Sequence, residues 1–173
     1  MTLELVKPSS ALKIPFQKLV WDYIDHKDVY FMNKYKPALE NFDTYVETLY
    51  KNSLGDEVEY NWVPYTTYWL IEKHDSDEID VVGNIRIRHE RVPQAGHVGY
   101  DIRPSFRRRG MGRKILELGL EKIKDFSIDD VYLTVEENNI SSIHIIESLG
   151  GTFQRSFYDD ETGETRLEYL ISV

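Results

Sequence analysis

Between residues 103 and 112 the chain reads Arg103-Pro104-Ser105-Phe106-Arg107-Arg108-Arg109-Gly110-Met111-Gly112, residue types and spacing that suit an anion site. A helix starting just after this run would leave backbone N–H groups unpaired and carry partial positive charge at its first turn. Gly110 and Gly112 let a ligand approach the main chain without meeting a Cβ, and three consecutive arginines add fixed cationic charge. Asp and Glu number 30 against 21 Lys and Arg, a net charge of −9, so positive charge is a local feature here. A pyrophosphate therefore fits better than an extended nucleic acid, which the chain as a whole would repel. Taken alone, an arginine triplet at a helix start reads first as a solvated surface turn or a targeting patch, and the neighbouring elements must decide. The spacing lacks the lysine and hydroxyl of a Walker A loop and the three-glycine dinucleotide fingerprint, which points the anion to another cofactor.

Side chains suited to proton transfer are fewer. His97 is the preferred general base, because imidazole titrates near neutrality and can act directly or through water. Asp101 and Glu136 are weaker alternatives, and Tyr158 is a candidate acid if the last hairpin folds over the cofactor. His26, His74, His89 and His144 show no metal-ligand spacing, and no metal is expected. The absence of cysteine excludes a disulfide framework, a thiolate metal site and a cysteine nucleophile.

The elements that must position these groups can be read from periodicity. Of the 173 residues, 41% are hydrophobic and 13% aromatic, enough apolar surface to exclude general disorder, and the length favours one domain. A short strand is expected at 3–6, helical patterns around 16–23 and 38–49, and a loop at 52–56. Strands follow at 68–71 and 81–87, joined as a hairpin, and at 97–103 after the turn Pro93-Gln94-Ala95-Gly96. Over 110–124, Met111, Ile115, Leu116, Leu118, Leu120 and Ile123 fall on an arc of roughly 200°, as in a helix pressed on a sheet. The β-branched run 131–135 reads as a buried strand. A second helix begins at Asn138-Asn139 and ends at Gly150-Gly151, and a hairpin pairs 152–158 with 165–171. No apolar run reaches the roughly 20 residues of a membrane-spanning helix and no secretory pattern opens the chain, so the expected location is cytoplasmic.

With these elements in place, the sequence resembles the GNAT superfamily of acyl-CoA-dependent N-acyltransferases. The signature Arg/Gln-x-x-Gly-x-Gly/Ala is matched by Arg107-Arg108-Arg109-Gly110-Met111-Gly112, and Asn139 to Gly150 resembles the family's Asn-x-x-Ala-x-x-Leu-Tyr-x-x-x-Gly region. The similarity spans about residues 81–153. It implies an α/β fold with a central mixed β-sheet flanked by helices, in which splayed strands form the coenzyme A cleft. It implies one domain over 1–173, with 68–173 as the acetyl-CoA-binding core and 1–67 as a variable acceptor-side region. The amides of Arg107, Arg108, Arg109, Gly110, Met111 and Gly112 would cradle the pyrophosphate, the backbone near Ile102 would pair with the pantetheine arm, and Asn139 and Ser142 would line the far wall. On the residues alone, Asn139 reads as a helix cap and Ser142 as a packing residue.

Two departures concern the chemistry. The family's frequent tyrosine acid falls at Ile146 and a glutamate base found in some relatives falls at Thr134, neither of which can serve. The function implied is still N-acetyl transfer from the co-substrate acetyl-CoA to a primary amine by direct attack, with positioning supplying much of the rate. A non-catalytic acyl-CoA-binding module is the alternative. The partners expected are acetyl-CoA and an amine acceptor, with a homodimer as an allowed assembly and neither nucleic acid nor membrane. Overall acidity favours a cationic acceptor, and Tyr65, Thr66 and Tyr68 are candidates to line its pocket.

Overall fold

In the computed structural model, which describes residues 1–56, 58 and 62–173, the apolar and β-branched runs form seven strands. These are β1 (Thr2–Val6), β2 (Tyr65–Lys73), β3 (Ile79–Val92), β4 (Gly96–Ile102), β5 (Asp130–Glu136), β6 (Thr152–Asp159) and β7 (Glu164–Ser172). They make one sheet in the order β1-β2-β3-β4-β5-β7-β6. Every recorded pairing is antiparallel, where a mixed sheet was expected. The reason lies at the centre: β4 and β5 meet at a single bridge, Gly96 opposite Leu133, so no parallel ladder forms between them. A Cβ on Gly96 would run into the Tyr132 carbonyl, and the residue's φ of +62° suits glycine, so this crossing point tolerates no side chain.

Helices cover both faces. On one, α5 (Met111–Ile123) and α6 (Ile140–Ser148) press Ile115, Leu116, Leu120, Ile123 and Ile146 onto Ile85, Ile87, Val98, Val131 and Leu133. Burial of each of these large apolar side chains contributes about 1.5–3 kcal/mol before entropy is counted. The other face carries α1 (Lys13–Asp25), α2 (Val29–Tyr35), α3 (Pro37–Glu40) and α4 (Phe42–Leu54). Their Phe16, Leu19, Val20, Tyr23, Tyr35 and Phe42 pack with Trp69, Ile71 and Val81. Phe16 stacks on Trp69 at 4.3 Å between centroids.

Several boundaries differ from the sequence reading. The expected loop at 52–56 is shortened because α4 continues to Leu54 and is closed by Gly55 in the left-handed region. The helix α2 was not foreseen, since its apolar residues are interrupted by Asn33 and Lys34 on a stretch of only 7 residues. Its start is capped by the Asp28 carboxylate, which accepts from the Phe31 amide.

Candidate functional site

The turn from β4 into α5 is held from outside. One oxygen of Asp22, on α1, accepts from the Ser105 amide (3.0 Å), the Ser105 hydroxyl (2.7 Å) and Arg103 Nε (3.1 Å). Burial pushes the Asp22 carboxyl up, but these Ser105 and Arg103 contacts outweigh it and leave its pKa below the ordinary value. Pro104–Phe106 makes one 3₁₀ turn, Phe106 is buried beneath it, and Arg107 onward is exposed. Gly110 is the cap of α5, at φ +77° with no side-chain hydrogen bond, and open space where a Cβ would stand. Among the described residues the amides of Arg108 through Arg113 make no hydrogen bond within the protein. The turn is thus an open cradle of N–H groups at a helix start, which is what an anionic diphosphate requires.

The arginines are not equivalent. Arg107 gives Nε to the Ile102 carbonyl (2.9 Å) and Nη2 to Asp28 (3.2 Å), so its side chain braces the turn and its charge is shared with a carboxylate. Arg109 lies over the Phe106 ring at 4.8 Å, and Arg113 reaches Ser148 Oγ on α6 (2.6 Å). The side-chain charge open to a ligand therefore comes from Arg108 and Arg109.

Beside the turn, β4 and β5 part to leave a cleft of about 130 Å³ lined by Val98, Tyr100, Leu133, Glu136, Asn139, Ser142 and Ile146, among others. Arg103 N–H bonds the Val82 carbonyl of β3, so by strand alternation the main-chain groups of Ile102 and Tyr100 face the opposite edge, where Tyr100 lines this cleft and the Ile102 carbonyl accepts from Arg107 Nε. Asn139 caps α6, its side chain accepting from the Ser142 amide at 3.2 Å, and both residues line the cleft wall. Asn139 and Ser142 thus share one cleft with Tyr100, and Gly112 lies beside it, where a Cβ would stand 4.0 Å from the Tyr100 ring.

Of the side chains expected to transfer protons, His97 and Asp101 are hydrogen-bonded to their neighbours. Nδ1 of His97 accepts the Tyr132 amide (3.0 Å), which spends the ring's lone pair on the β4–β5 crossing and places its proton on Nε2. Burial, aided by Arg91 and Arg88, also lowers its pKa. His97 Nδ1 is thus engaged in holding the β4–β5 crossing. Asp101 is 6% exposed and accepts from Tyr23 (2.6 Å), Tyr35 (2.5 Å) and Lys34 (3.4 Å), joining β4 to α1 and α2 rather than facing the cleft. Tyr158 is 63% exposed on β6 and lies outside the cleft between β4 and β5. Thr134 donates to the Gln94 carbonyl, and Glu136 pairs with Arg166 at 3.4 Å on the cleft wall.

The sequence reading missed Tyr100. Its hydroxyl is buried without a hydrogen-bond partner beside the cleft, which Ile146 also lines. Burial raises the phenol's pKa, opposed by the nearby Ser142 hydroxyl, so it stays protonated at neutral pH. The signal was present in the alternation Val98, Tyr100, Ile102, which puts Tyr100 on the face covered by α5 and α6.

On the other face a second cavity of about 350 Å³ lies between α2–α4 and strands β2–β3. Lys34, Glu40, Tyr45, Tyr65, Thr67 and Arg86 are among its lining residues. Of the pocket residues expected from sequence, only Tyr65 is there: Thr66 bonds His89 at 2.8 Å, and Tyr68 is in the core of the opposite face. Glu72, His74 and Asp80 are gathered by the β2–β3 hairpin, with ligand-type atoms within 4.8 Å of one another, a grouping that helical spacing could not reveal. Arg103 Nη1 lies 3.3 Å from Asp80 and His74 Nε2 bonds Asp80 at 3.0 Å, which accounts for the grouping as an ion-pair network. Among the described residues, no helix is long and apolar enough to cross a membrane.

Known proteins share the family and the fold. Residues 31–150 match the family model described as acetyltransferase (GNAT) family. Over 63 residues the chain is 33% identical to a [ribosomal protein bS18]-alanine N-acetyltransferase of Salmonella typhimurium, a match covering 35% of this chain and 43% of that protein. The chain thus spans less than half the length of that curated relative. In fold it is similar to the microcin C7 self-immunity acetyltransferase MccE solved with acetyl-CoA and AMP, with a TM-score of 0.71 and 12% identity over 99% of this chain and 92% of that one. It is similar also to RimL, a ribosomal L7/L12 α-N-protein acetyltransferase solved with coenzyme A, with a TM-score of 0.71 and 15% identity over 100% and 95%.

Proposed function

The chain belongs to the acetyltransferase (GNAT) family, and from that premise we propose that it transfers an acetyl group from acetyl-CoA to a primary amine by direct attack in a ternary complex. The observation that carries this reading is the turn at 108–113, whose amides have no partner in the protein and whose Gly110 leaves the space above them clear. The residues fit the donor: Arg108 through Gly112 would hold its diphosphate, the main chain of Tyr100 and Ile102 its pantetheine arm, and Asn139 and Ser142 the opposite wall. Acetyl-CoA supplies an activated thioester; the amine nitrogen bonds to the carbonyl carbon, the carbon–sulfur bond breaks, and sulfur leaves as thiolate.

The chain's own groups then serve two proton movements. Tyr100 Oη–H, buried and unpartnered, is the donor to the departing sulfur, in the role that Ile146 cannot fill. The amine's proton passes to water or to Glu136, whose carboxylate lines the cleft beside Arg166. His97 and Asp101 support these strands without touching the reacting atoms. In this reading 68–173 form the donor-binding part and 1–67 shape the acceptor side, and the protein works in the cytoplasm. The experiment is an amine-panel assay read by mass spectrometry, with free coenzyme A thiol measured alongside. Acetylated product with equimolar thiol is expected; acetyl-CoA binding with no thiol release above background from any amine would leave a binding module instead.

A further inference from the structure

The chain's acidity suggests a cationic acceptor, but the acceptor-side cavity has the opposite local charge. Lys34 and Arg86 line it from α2 and β3, and Arg88 stands two residues along the same strand face. Among the described residues neither Arg86 nor Arg88 has a carboxylate partner. Arg86 contributes a buried Nε with no hydrogen-bond acceptor and lies 5.7 Å over the Tyr65 ring, while Arg88 is 6% exposed and bonds only the Ala95 carbonyl. Lys34 shares Asp101 with two tyrosine hydroxyls, so that carboxylate is already engaged by three donors. Glu40 also lines the cavity but is exposed to solvent, where its charge is screened.

Guanidinium groups removed from water are costly unless an anion pairs with them. An independent observation lies on the cavity wall, where Thr67 is 3% exposed and its hydroxyl is buried without a partner. Unmet donors of this kind on a strand face, opening into a cavity of small-ligand size, describe a site awaiting acceptor atoms. Burial, reinforced by Arg86 and Arg88 and opposed by Asp101, pulls the Lys34 pKa down to about 8, as expected where positive charge is in excess.

We propose that this cavity takes the acceptor, and that the acceptor is an amine carrying its own anionic group, a carboxylate or a phosphate, which pairs with Arg86 and Lys34 and accepts from Thr67. The inference rests on the acetyl-transfer reading for the fate of the amine, but not for the binding of the anion. Lys34 connects the cavity to Asp101 on β4, the strand whose other edge faces the donor cleft, so an acceptor held here lies against the strand that presents the thioester.

The test uses the full chain and matched acceptors: an α-amino acid against its carboxamide, and phosphoethanolamine against ethanolamine. At least a tenfold preference in kcat/KM for one anionic member is expected, and which pair shows it separates carboxylate from phosphate. Arg86→Gln should raise KM for that acceptor at least tenfold with KM for acetyl-CoA unchanged, and Arg86→Lys should restore part of the loss. Equal or better use of the neutral members, or a preference untouched by Arg86→Gln, overturns the inference and leaves acetyl transfer standing. Calorimetric titration of the same four amines into the coenzyme A-loaded protein separates the two readings. Arg86-dependent binding of the anionic members with no acetylation would keep this site and reject the transferase, whereas absence of both binding and turnover would reject the site.

Discussion

At the scale of single residues, the phenol that lines the cleft comes from β4 and not from α6. Ile146 is buried against α6's own core contacts and can give no proton, yet Tyr100 brings a phenol to the same groove from β4. A buried hydroxyl without a partner costs about 1–3 kcal/mol, a penalty that a polar or anionic sulfur alongside it would relieve. Tyr100→Phe removes only the oxygen, so the fold should be kept or slightly stabilised. If Tyr100 donates to the leaving thiolate, kcat should fall by about 100-fold, the low end for general-acid catalysis, while acetyl-CoA affinity changes little. Steady-state kinetics with direct titration of acetyl-CoA checks this, and an unchanged kcat would remove Tyr100 from the chemistry. Gly110→Val acts on binding instead. Its φ of +77° disfavours any Cβ by roughly 1–2 kcal/mol, and the added methyl groups enter the open space over the free amides. Acetyl-CoA affinity should fall at least tenfold in calorimetry, with a smaller change in melting temperature than a core deletion causes.

Among the elements, the turn at 103–112 depends on a helix far from it in sequence. Asp22 collects three donors from Arg103 and Ser105, so α1 fixes the angle at which β4 hands over to α5. Asp22→Asn keeps the size and one acceptor oxygen but loses the charge that strengthens the bonds from those donors. It should weaken acetyl-CoA binding several-fold without contacting it, and calorimetry at pH 7 would show this. Such long-range support was not legible in the sequence, because nothing local marks which of 30 acids meets Ser105. What was legible had a local cause: the apolar arc of α5, the cap at Asn139, the glycines at 110 and 112, and the hairpin strands are set by period, turn chemistry and backbone freedom. Hydrogen-bond state was not. His97 and Asp101 have the residue types of a base, but their partners, the Tyr132 amide and two tyrosine hydroxyls, come from other strands and helices. The arginines at 86 and 88 did carry a signal, since two cations two residues apart on one face of a strand demand an anion or a solvent opening.

For the molecule as a whole, the single bridge between β4 and β5 divides the sheet into halves that side chains must help to join. Arg91, at the end of β3, makes two 2.8 Å bonds to Glu168 on β7 and stacks at 3.8 Å over Tyr132 on β5, while Arg155 on β6 bonds Glu168 at 3.0 Å. Burial pushes the Glu168 carboxyl up, but hydrogen bonds from Arg155 and Arg91 more than offset this and hold it below its ordinary 4.5. A carboxyl with a depressed folded-state pKa binds more protons when the chain unfolds, so its stabilisation is complete above 4.5 and is lost as pH falls through the folded value. Glu168→Gln should therefore cost about 2 kcal/mol at pH 7, the scale of hydrogen bonds to a charged group, and lower the melting temperature by about 4–8 °C for a chain of this size. The gap between wild type and variant should narrow below pH 4.5 as the wild-type carboxyl is protonated, since both chains then carry a neutral group at this position. Melting curves of both proteins from pH 7 to 3 test it, and a gap that keeps its size through that range would mean that Glu168 joins the halves by packing and not by charge. Because the same junction sets how far β4 and β5 part, Glu168→Gln should also loosen acetyl-CoA binding at pH 7, although Glu168 lies outside the cleft.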